Sequence, residues 1–283
     1  MRILVLGASG MLGNAMLRVL TEQVGWTIYG TLRSPNLALQ ALAPRAQLIH
    51  GIYADQPDSL VAAFTQSRPQ VVINCVGLVK QLAGAEDPLE AIPINSLLPH
   101  RLAKLCELTQ ARLVHISTDC VFSGSQGNYR ESDVPDAQDL YGRSKLIGEV
   151  SYRHAITLRT SIIGHELGRD HGLIGWFLSQ QGRVKGYTEA IFSGLPTCEM
   201  ARVVRDFVIP NKDIHGLYHV AAEPISKHDL LQIVNREYGK ALQIEPDEQM
   251  RINRSLNASR FREATGYVAP AWPDLIAKMC AFR

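Results

Sequence analysis

Cysteine is scarce and unpaired in this chain. Its five cysteines, Cys75, Cys106, Cys120, Cys198 and Cys280, are odd in number, widely spaced and free of any C-x-x-C. That pattern excludes a disulfide framework and a cysteine zinc site. The nine histidines form no H-E-x-x-H and no ligand pair, so no catalytic metal is expected. No apolar run approaches the roughly 20 residues needed to span a bilayer. Strand-like residues begin at Arg2, leaving no room for a signal peptide, so the expected setting is cytoplasmic. No basic stretch is interleaved with aromatics, and the net charge is only +2, which argues against a nucleic-acid surface. Low-complexity segments and internal repeats are also missing.

What is present fits an ordinary globular protein of 283 residues, with 46% hydrophobic and 20% charged residues. Short apolar runs alternate with helix-like segments. Ile3–Leu6 reads as a first strand and Asn14–Gln23 as a helix. Strands are predicted at Trp26–Tyr29, Gln47–His50, Gln70–Val76, Ala111–Ser117 and Ala155–Arg159, with helices at Leu60–Phe64, Leu97–Leu108 and Leu140–Tyr152. This alternation predicts an α/β fold, a Rossmann-type doubly wound parallel sheet. After Gly164 the pattern loosens. Gly186–Pro196 reads as an aromatic loop, Thr197–Val208 as a helix, Gly216–Val220 as a late strand and Lys227–Tyr238 as a helix. The expected division is a dinucleotide-binding domain over residues 1–163 and a smaller C-terminal substrate-binding lobe over 164–283, with segments near 195–221 returning to the sheet.

The first turn carries Gly7-Ala8-Ser9-Gly10-Met11-Leu12-Gly13, a G-x-x-G-x-x-G run between a strand and a helix. Glycine lets backbone approach a pyrophosphate closely, and the helix N-terminus offers free N–H groups to it. Gly7, Ser9, Gly10, Met11 and Leu12 are therefore candidate cofactor contacts. The second strand is followed by Thr31-Leu32-Arg33-Ser34, with no carboxylate to hold a ribose 2′-hydroxyl. Arg33, helped by Thr31 and Ser34, suits a 2′-phosphate, so NADP(H) is expected in preference to NAD(H). A solvated loop arginine is the alternative.

Tyr141 and Lys145 lie four residues apart, on one face of a helix. An ammonium beside the phenol would lower the tyrosine pKa and make it a general acid or base. Ser117-Thr118-Asp119 ends the fifth strand, where doubly wound sheets place their sites. Thr118 can bond a substrate oxygen. Asp119 can position a hydroxyl or relay a proton, or act as a turn cap. Lys80 and Gln81 follow the fourth strand and are candidates to line a substrate pocket. Arg251, Arg254 and Arg260 cluster near the C-terminus, and the planar fork of arginine suits a diphosphate, with a solvated helix face as the alternative.

These motifs, together with Cys120-Val121-Phe122-Ser123-Gly124, Leu146-Ile147-Gly148-Glu149, Arg159-Thr160-Ser161 and Gly194-Leu195-Pro196-Thr197, occur in one order along nearly the whole chain. The chain resembles the extended short-chain dehydrogenase/reductases, and within them the dTDP-4-dehydrorhamnose reductase branch. The resemblance implies polysaccharide biosynthesis, with NADPH-dependent reduction of a nucleotide-linked 4-keto sugar. It implies Thr118, Tyr141 and Lys145 as the catalytic triad, Tyr141 giving the proton and Lys145 also holding the nicotinamide ribose. It implies Asn74, Cys75, Val76 and Gly77 along the cofactor, Asn95 as the family's helix asparagine, Pro196 and Thr197 near the nicotinamide, and Arg254 at the nucleotide diphosphate. Cys120 and Ile162 stand where that branch usually carries Tyr and an aromatic residue that touch the sugar. The adenine-binding Asp is displaced, with Asp55 an imperfect substitute. Cys120 is read as substrate-lining, or as a small buried hydrophobe. An epimerase of the same fold and a non-catalytic NADP-binding regulatory subunit remain open. A 4,6-dehydratase is disfavoured, because Cys120 stands where those enzymes carry Glu. A homodimer is one assembly the resemblance allows.

Overall fold

The computed structural model describes residues 1–80, 84, 86–168 and 172–283. Its first half alternates strand and helix: β1 (Arg2–Leu6), α1 (Met11–Leu20), β2 (Thr27–Thr31), α2 (Leu37–Leu42), β3 (Gln47–Ile49), α3 (Pro57–Ser67), β4 (Val71–Asn74), α4 (Pro88–Ala91), α5 (Leu98–Thr109), β5 (Arg112–Thr118), α6 (Leu140–Ile147) and β6 (Ala155–Thr160). A π-helical turn, Ile92–Leu97, joins α4 to α5. The second half holds β7 (Ile162–Ile163), α7 (Leu173–Ser179), β8 (Arg183–Tyr187), β9 (Ala190–Phe192), β10 (Leu195–Pro196), α8 (Thr197–Val203) and β11 (Gly216–His219). It ends with β12 (Ile225–Ser226), α9 (Lys227–Glu237), β13 (Gln243–Asp247), β14 (Ile252–Asn253), α10 (Ser259–Thr265) and α11 (Trp272–Ala281).

Seven strands form one parallel sheet in the order β3-β2-β1-β4-β5-β6-β11. Strand order reverses between β1 and β4, so the carboxyl ends of those strands open a crevice, the usual ligand position in such sheets. Burial on both faces of β1 and β4 explains their apolar runs, Ile3–Leu6 and Val71–Ile73. On one face Ile3, Val5, Leu17, Leu20, Ile73 and Val204 share a core that continues under α11. On the other, Leu4, Leu6, Leu60, Phe64, Leu98 and Leu102 form a second core.

Several elements differ from the sequence expectation, among them α3, which spans Pro57–Ser67 rather than Leu60–Phe64. The first helix starts at Met11 rather than Asn14, because Gly10 caps it with extended backbone and no side-chain bond. The helix carrying Tyr141 ends at Ile147 rather than Tyr152. The segment read as a loop, Gly186–Pro196, contains β9 and β10, which exist through pairing: β9 with β12 and β14, β10 with β7. These small sheets, with β8 and β13 paired in parallel, carry Arg254 and Lys227 toward the carboxyl end of β5.

Candidate active site

The glycine turn is built for close approach. Gly7 sits at φ +77°, a left-handed conformation that disfavours side chains. A Cβ on Gly13 would run into the carbonyl oxygen of Gly7, so only glycine lets α1 start this near β1. Gly10 N donates to Gly7 O at 3.0 Å, and Gly7 N to the Thr31 hydroxyl at 3.3 Å. Ser9 and Gly10 are exposed, and Met11 is half-buried beside them. The first turn of α1 has no acidic residue and no side-chain cap. Its N–H groups and positive dipole end are thus open to a phosphate. Leu12 instead packs into the core.

Arg33 and Ser34 are exposed, and no hydrogen bond or ion pair engages Arg33's side chain among the described residues. After β4, Asn74 bonds sideways to His115 Nδ1 at 3.1 Å and accepts from Val76 N at 3.1 Å, which shapes the Cys75–Gly77 turn. Asn95, within the π turn, accepts from Leu78 N at 2.9 Å and donates to Leu78 O at 3.0 Å and to Ser144 Oγ at 3.1 Å. It clamps that same turn to α6. Asp55 is exposed, and Gly51 at φ +74° stands on the turn after β3.

Asp139 caps α6, accepting from Gly142 N at 2.8 Å, and so sets where Tyr141 and Lys145 begin their helical spacing. The sequence reading missed Asp139, although an Asp just ahead of a helical segment is a capping signal. Asp139 also pairs with Lys80 at 2.8 Å, with the Lys80 ammonium 5.7 Å from the Tyr141 ring centroid. Lys80, Glu86, Asp139, Leu140 and Tyr141 line a cleft of about 350 Å³. Gln81 lies outside the described residues.

Thr118, at the end of β5, accepts from Cys120 N at 3.1 Å, and its hydroxyl donates to Asp119 Oδ1 at 3.2 Å. The cap of this turn is therefore Thr118, and Asp119 is its first residue. Burial pushes the Asp119 carboxyl upward, opposed by Arg254, Cys120, Thr118 and Lys227. Arg254 is half-buried: its Nε donates to Phe122 O at 2.8 Å and its guanidinium meets Cys120 Sγ at 3.7 Å. Of the three arginines read together, this one reaches the turn after β5. Arg251 is exposed and Arg260 stacks on Tyr218 at 4.6 Å. Lys227, at the start of α9, was also missed in the sequence, where nothing links it to a site. Burial lowers its pKa, and Asp119 opposes that.

The charge states correct one expectation. The spacing of Tyr141 and Lys145 predicts an ammonium that lowers the phenol pKa. In the structure burial raises it, Cys120 adds to the rise, and the Thr118 hydroxyl opposes. Lys145 instead donates to Ile116 O at 2.8 Å. Burial pulls Lys145 down to about 8, against Glu149 and Cys75. Burial also pushes the Cys120 thiol up to about 11, so it is a neutral group and not a nucleophile at neutral pH.

Among the described residues no group of three or more His, Cys, Asp or Glu gathers as a metal site, and no helix is long and apolar enough to cross a membrane.

Comparison with known proteins follows this geometry. Residues 1–279 match the RmlD substrate binding domain family. A probable low-salt glycan biosynthesis reductase of Haloferax volcanii is 30% identical over 230 residues, 77% of this chain and 74% of that protein. Methionine adenosyltransferase 2 subunit beta of Bos taurus is 33% identical over 151 residues, covering 52% of this chain and 41% of that protein. In fold, the chain resembles a Bacillus anthracis dTDP-4-dehydrorhamnose reductase in complex with NADP (TM-score 0.78, 18% identity, 98% of each chain). It also resembles the Bordetella bronchiseptica enzyme WbmG in complex with NAD and UDP (TM-score 0.81, 19% identity, 100% of this chain and 94% of that one). The chain belongs to the RmlD substrate-binding domain family.

Proposed function

We propose that this protein is an NADPH-dependent reductase of a nucleotide-linked 4-keto sugar. The observation that carries the reading is the convergence of Thr118, Tyr141 and Lys145 at the carboxyl end of β5, beside a glycine turn whose helix N-terminus is open to phosphate. The residues fit a dinucleotide. Gly7, Ser9, Gly10 and Met11 would hold its pyrophosphate, with Leu12 backing the turn from the core. Thr31, Arg33 and Ser34 would meet its adenosine ribose, and Cys75, Val76 and Gly77 would line its length. NADP fits better than NAD because Arg33 stands where a carboxylate would otherwise hold a 2′-hydroxyl.

When bound, NADPH supplies the hydride. Tyr141, kept protonated by burial, gives its phenol proton to the carbonyl oxygen as negative charge develops there. The Thr118 hydroxyl donates to the same oxygen in place of its bond to Asp119. Lys145, still cationic below about pH 8, holds the nicotinamide ribose and adds positive charge near the reacting carbon. Arg254 would take the substrate diphosphate, with Lys80, Asp119 and Cys120 around the sugar.

A subunit role is the second reading, favoured by the relative named as a subunit of another enzyme. An epimerase would use the same triad but retain its cofactor unchanged. Incubation with NADPH and a panel of nucleotide-linked 4-keto sugars tests these readings. Stoichiometric NADPH consumption with one sugar is expected. NADPH binding with no consumption on any sugar supports the subunit role, and sugar conversion without net consumption supports the epimerase.

A further inference from the structure

Behind Thr118 and Lys145 lies a buried charge network that the chemistry above does not use. Glu149 follows the end of α6 and Arg159 lies near the end of β6, with side chains 11% and 3% exposed. Arg159 donates to both Glu149 oxygens, Nε to Oε1 and Nη2 to Oε2, each at 2.7 Å. The Ser117 hydroxyl donates to Glu149 Oε1, also at 2.7 Å. Ser117 immediately precedes Thr118, so this bond ends one residue from a catalytic hydroxyl.

On its far side the pair reaches Phe122 and, on β11, His219. The Arg159 guanidinium lies 5.1 Å from the Phe122 ring centroid, and its Nη1 donates to His219 Nε2 at 3.3 Å. His219 donates from Nδ1 to Tyr129 O at 3.0 Å, which leaves Nε2 as the acceptor. Burial holds His219 neutral, its pKa lowered to about 3. Phe122 stacks on Tyr129 at 4.1 Å, and its carbonyl is the acceptor for Arg254 Nε. One contact chain thus runs from Thr118, through Glu149 and Arg159, to the arginine at the sugar end.

A buried ion pair adds little net stability compared with a well-packed apolar core, so stability alone does not account for this one. Its position relative to Lys145 is more informative. The charged and titratable groups that act on Lys145 are Glu149, just past the end of its helix, Cys75 after β4 and His115 on β5. Of these, Glu149 is the carboxylate.

We propose that Glu149 and Arg159 are positioning residues for the catalytic unit: their ion pair fixes the Ser117–Thr118 end of β5 and presents a held carboxylate to Lys145. This deepens the reductase reading and rests on it for its kinetic arm alone.

The test follows the ¹³Cε resonance of Lys145 against pH in lysine-labelled protein, assigned by its loss in Lys145→Arg. Removing Glu149 removes a group that raises Lys145. In Glu149→Gln the Lys145 midpoint is expected to fall by about one unit. Because that variant strands a buried arginine, the double variant Glu149→Gln/Arg159→Met, which removes both charges, is measured beside it. A smaller fall in the same direction is expected there, because the stranded arginine no longer adds to it, and an unmoved midpoint in the folded double variant overturns the proposal. In the kinetic arm, Ser117→Ala is expected to lower kcat about tenfold, with KM and thermal midpoint unchanged. An unchanged kcat overturns the role assigned to the β5 end. If wild-type protein turns over no sugar, the reductase reading fails, and the resonance titration still decides the role of Glu149.

Discussion

At the end of the cleft proposed to take the cofactor, the protein offers mainly backbone. Gly7, Gly10 and Gly13 bring α1 close to β1, and Asn74 and Asn95 shape the Cys75–Gly77 turn. The end proposed to take the sugar is made of side chains: Lys80 on Asp139, Cys120 beside Arg254, and Lys227 near Asp119. A backbone cradle requires glycine at fixed local spacing, so substitutions there disturb the fold itself. The side-chain wall is supplied by segments as much as 134 residues apart in sequence, and can change its ligand while the sheet stays as it is. Specificity in such a protein can therefore vary at one end of the cleft while cofactor binding persists at the other.

The sharpest way to break this contrast is at Gly13. Gly13→Val places a branched side chain against Gly7 O, and should weaken NADPH by at least about 100-fold, about 3 kcal/mol, with loss of stability. Fluorescence titration with NADPH, read beside thermal unfolding, measures both effects. Tight NADPH binding in this variant would mean the turn is not a cradle.

Lys145 tests the cost of catalytic charge. Its folded pKa of about 8 lies below the ordinary 10.5, so folding is penalised while the group is charged. The penalty is fully present below pH 8, shrinks between pH 8 and 10.5, and vanishes above. Lys145→Met should therefore be inactive yet more stable than wild type at pH 7, by at most about 3 kcal/mol, with the gap closing at higher pH. Urea unfolding at pH 7 and pH 10 checks this, and an equal gap at both would contradict it.

At the sugar end, Arg254→Leu should raise KM for the nucleotide sugar about 30-fold, about 2 kcal/mol, while NADPH affinity stays unchanged. A matching loss of NADPH affinity would erase the separation of the two ends. The smallest effect is expected at Arg33. Arg33→Ala should weaken NADPH about tenfold and leave NADH unaffected, as measured by parallel titrations. Equal effects on both cofactors would remove the case for a 2′-phosphate.

Much of the fold was legible because the central strands β1 and β4 carry short apolar runs bounded by turns, and burial on both faces requires such runs. The parts that were not legible share a cause. β9 and β10 have three and two residues, too few to show an alternation, and form because β12, β14 and β7 pair with them. Helical spacing correctly put Tyr141 and Lys145 on one helix, but spacing says nothing of where an ammonium finds its acceptor. Lys145 found Ile116 O, and burial set the phenol's pKa instead. Arg254 could be singled out among its neighbouring arginines only through the family resemblance, because its partners Cys120 and Phe122 are distant in sequence. Glu149 and Arg159 stood inside quoted motifs without a role until their side chains were seen to meet.

The most direct measurement uses NADPH carrying deuterium at the transferable position of the nicotinamide, with mass analysis of the nucleotide sugar formed. Wild-type protein should place one deuterium on the reduced carbon of a 4-keto sugar. Tyr141→Phe should bind NADPH normally yet form labelled product about 100-fold to 10,000-fold more slowly. Sugar product without deuterium, or a Tyr141→Phe variant as fast as wild type, would contradict the account.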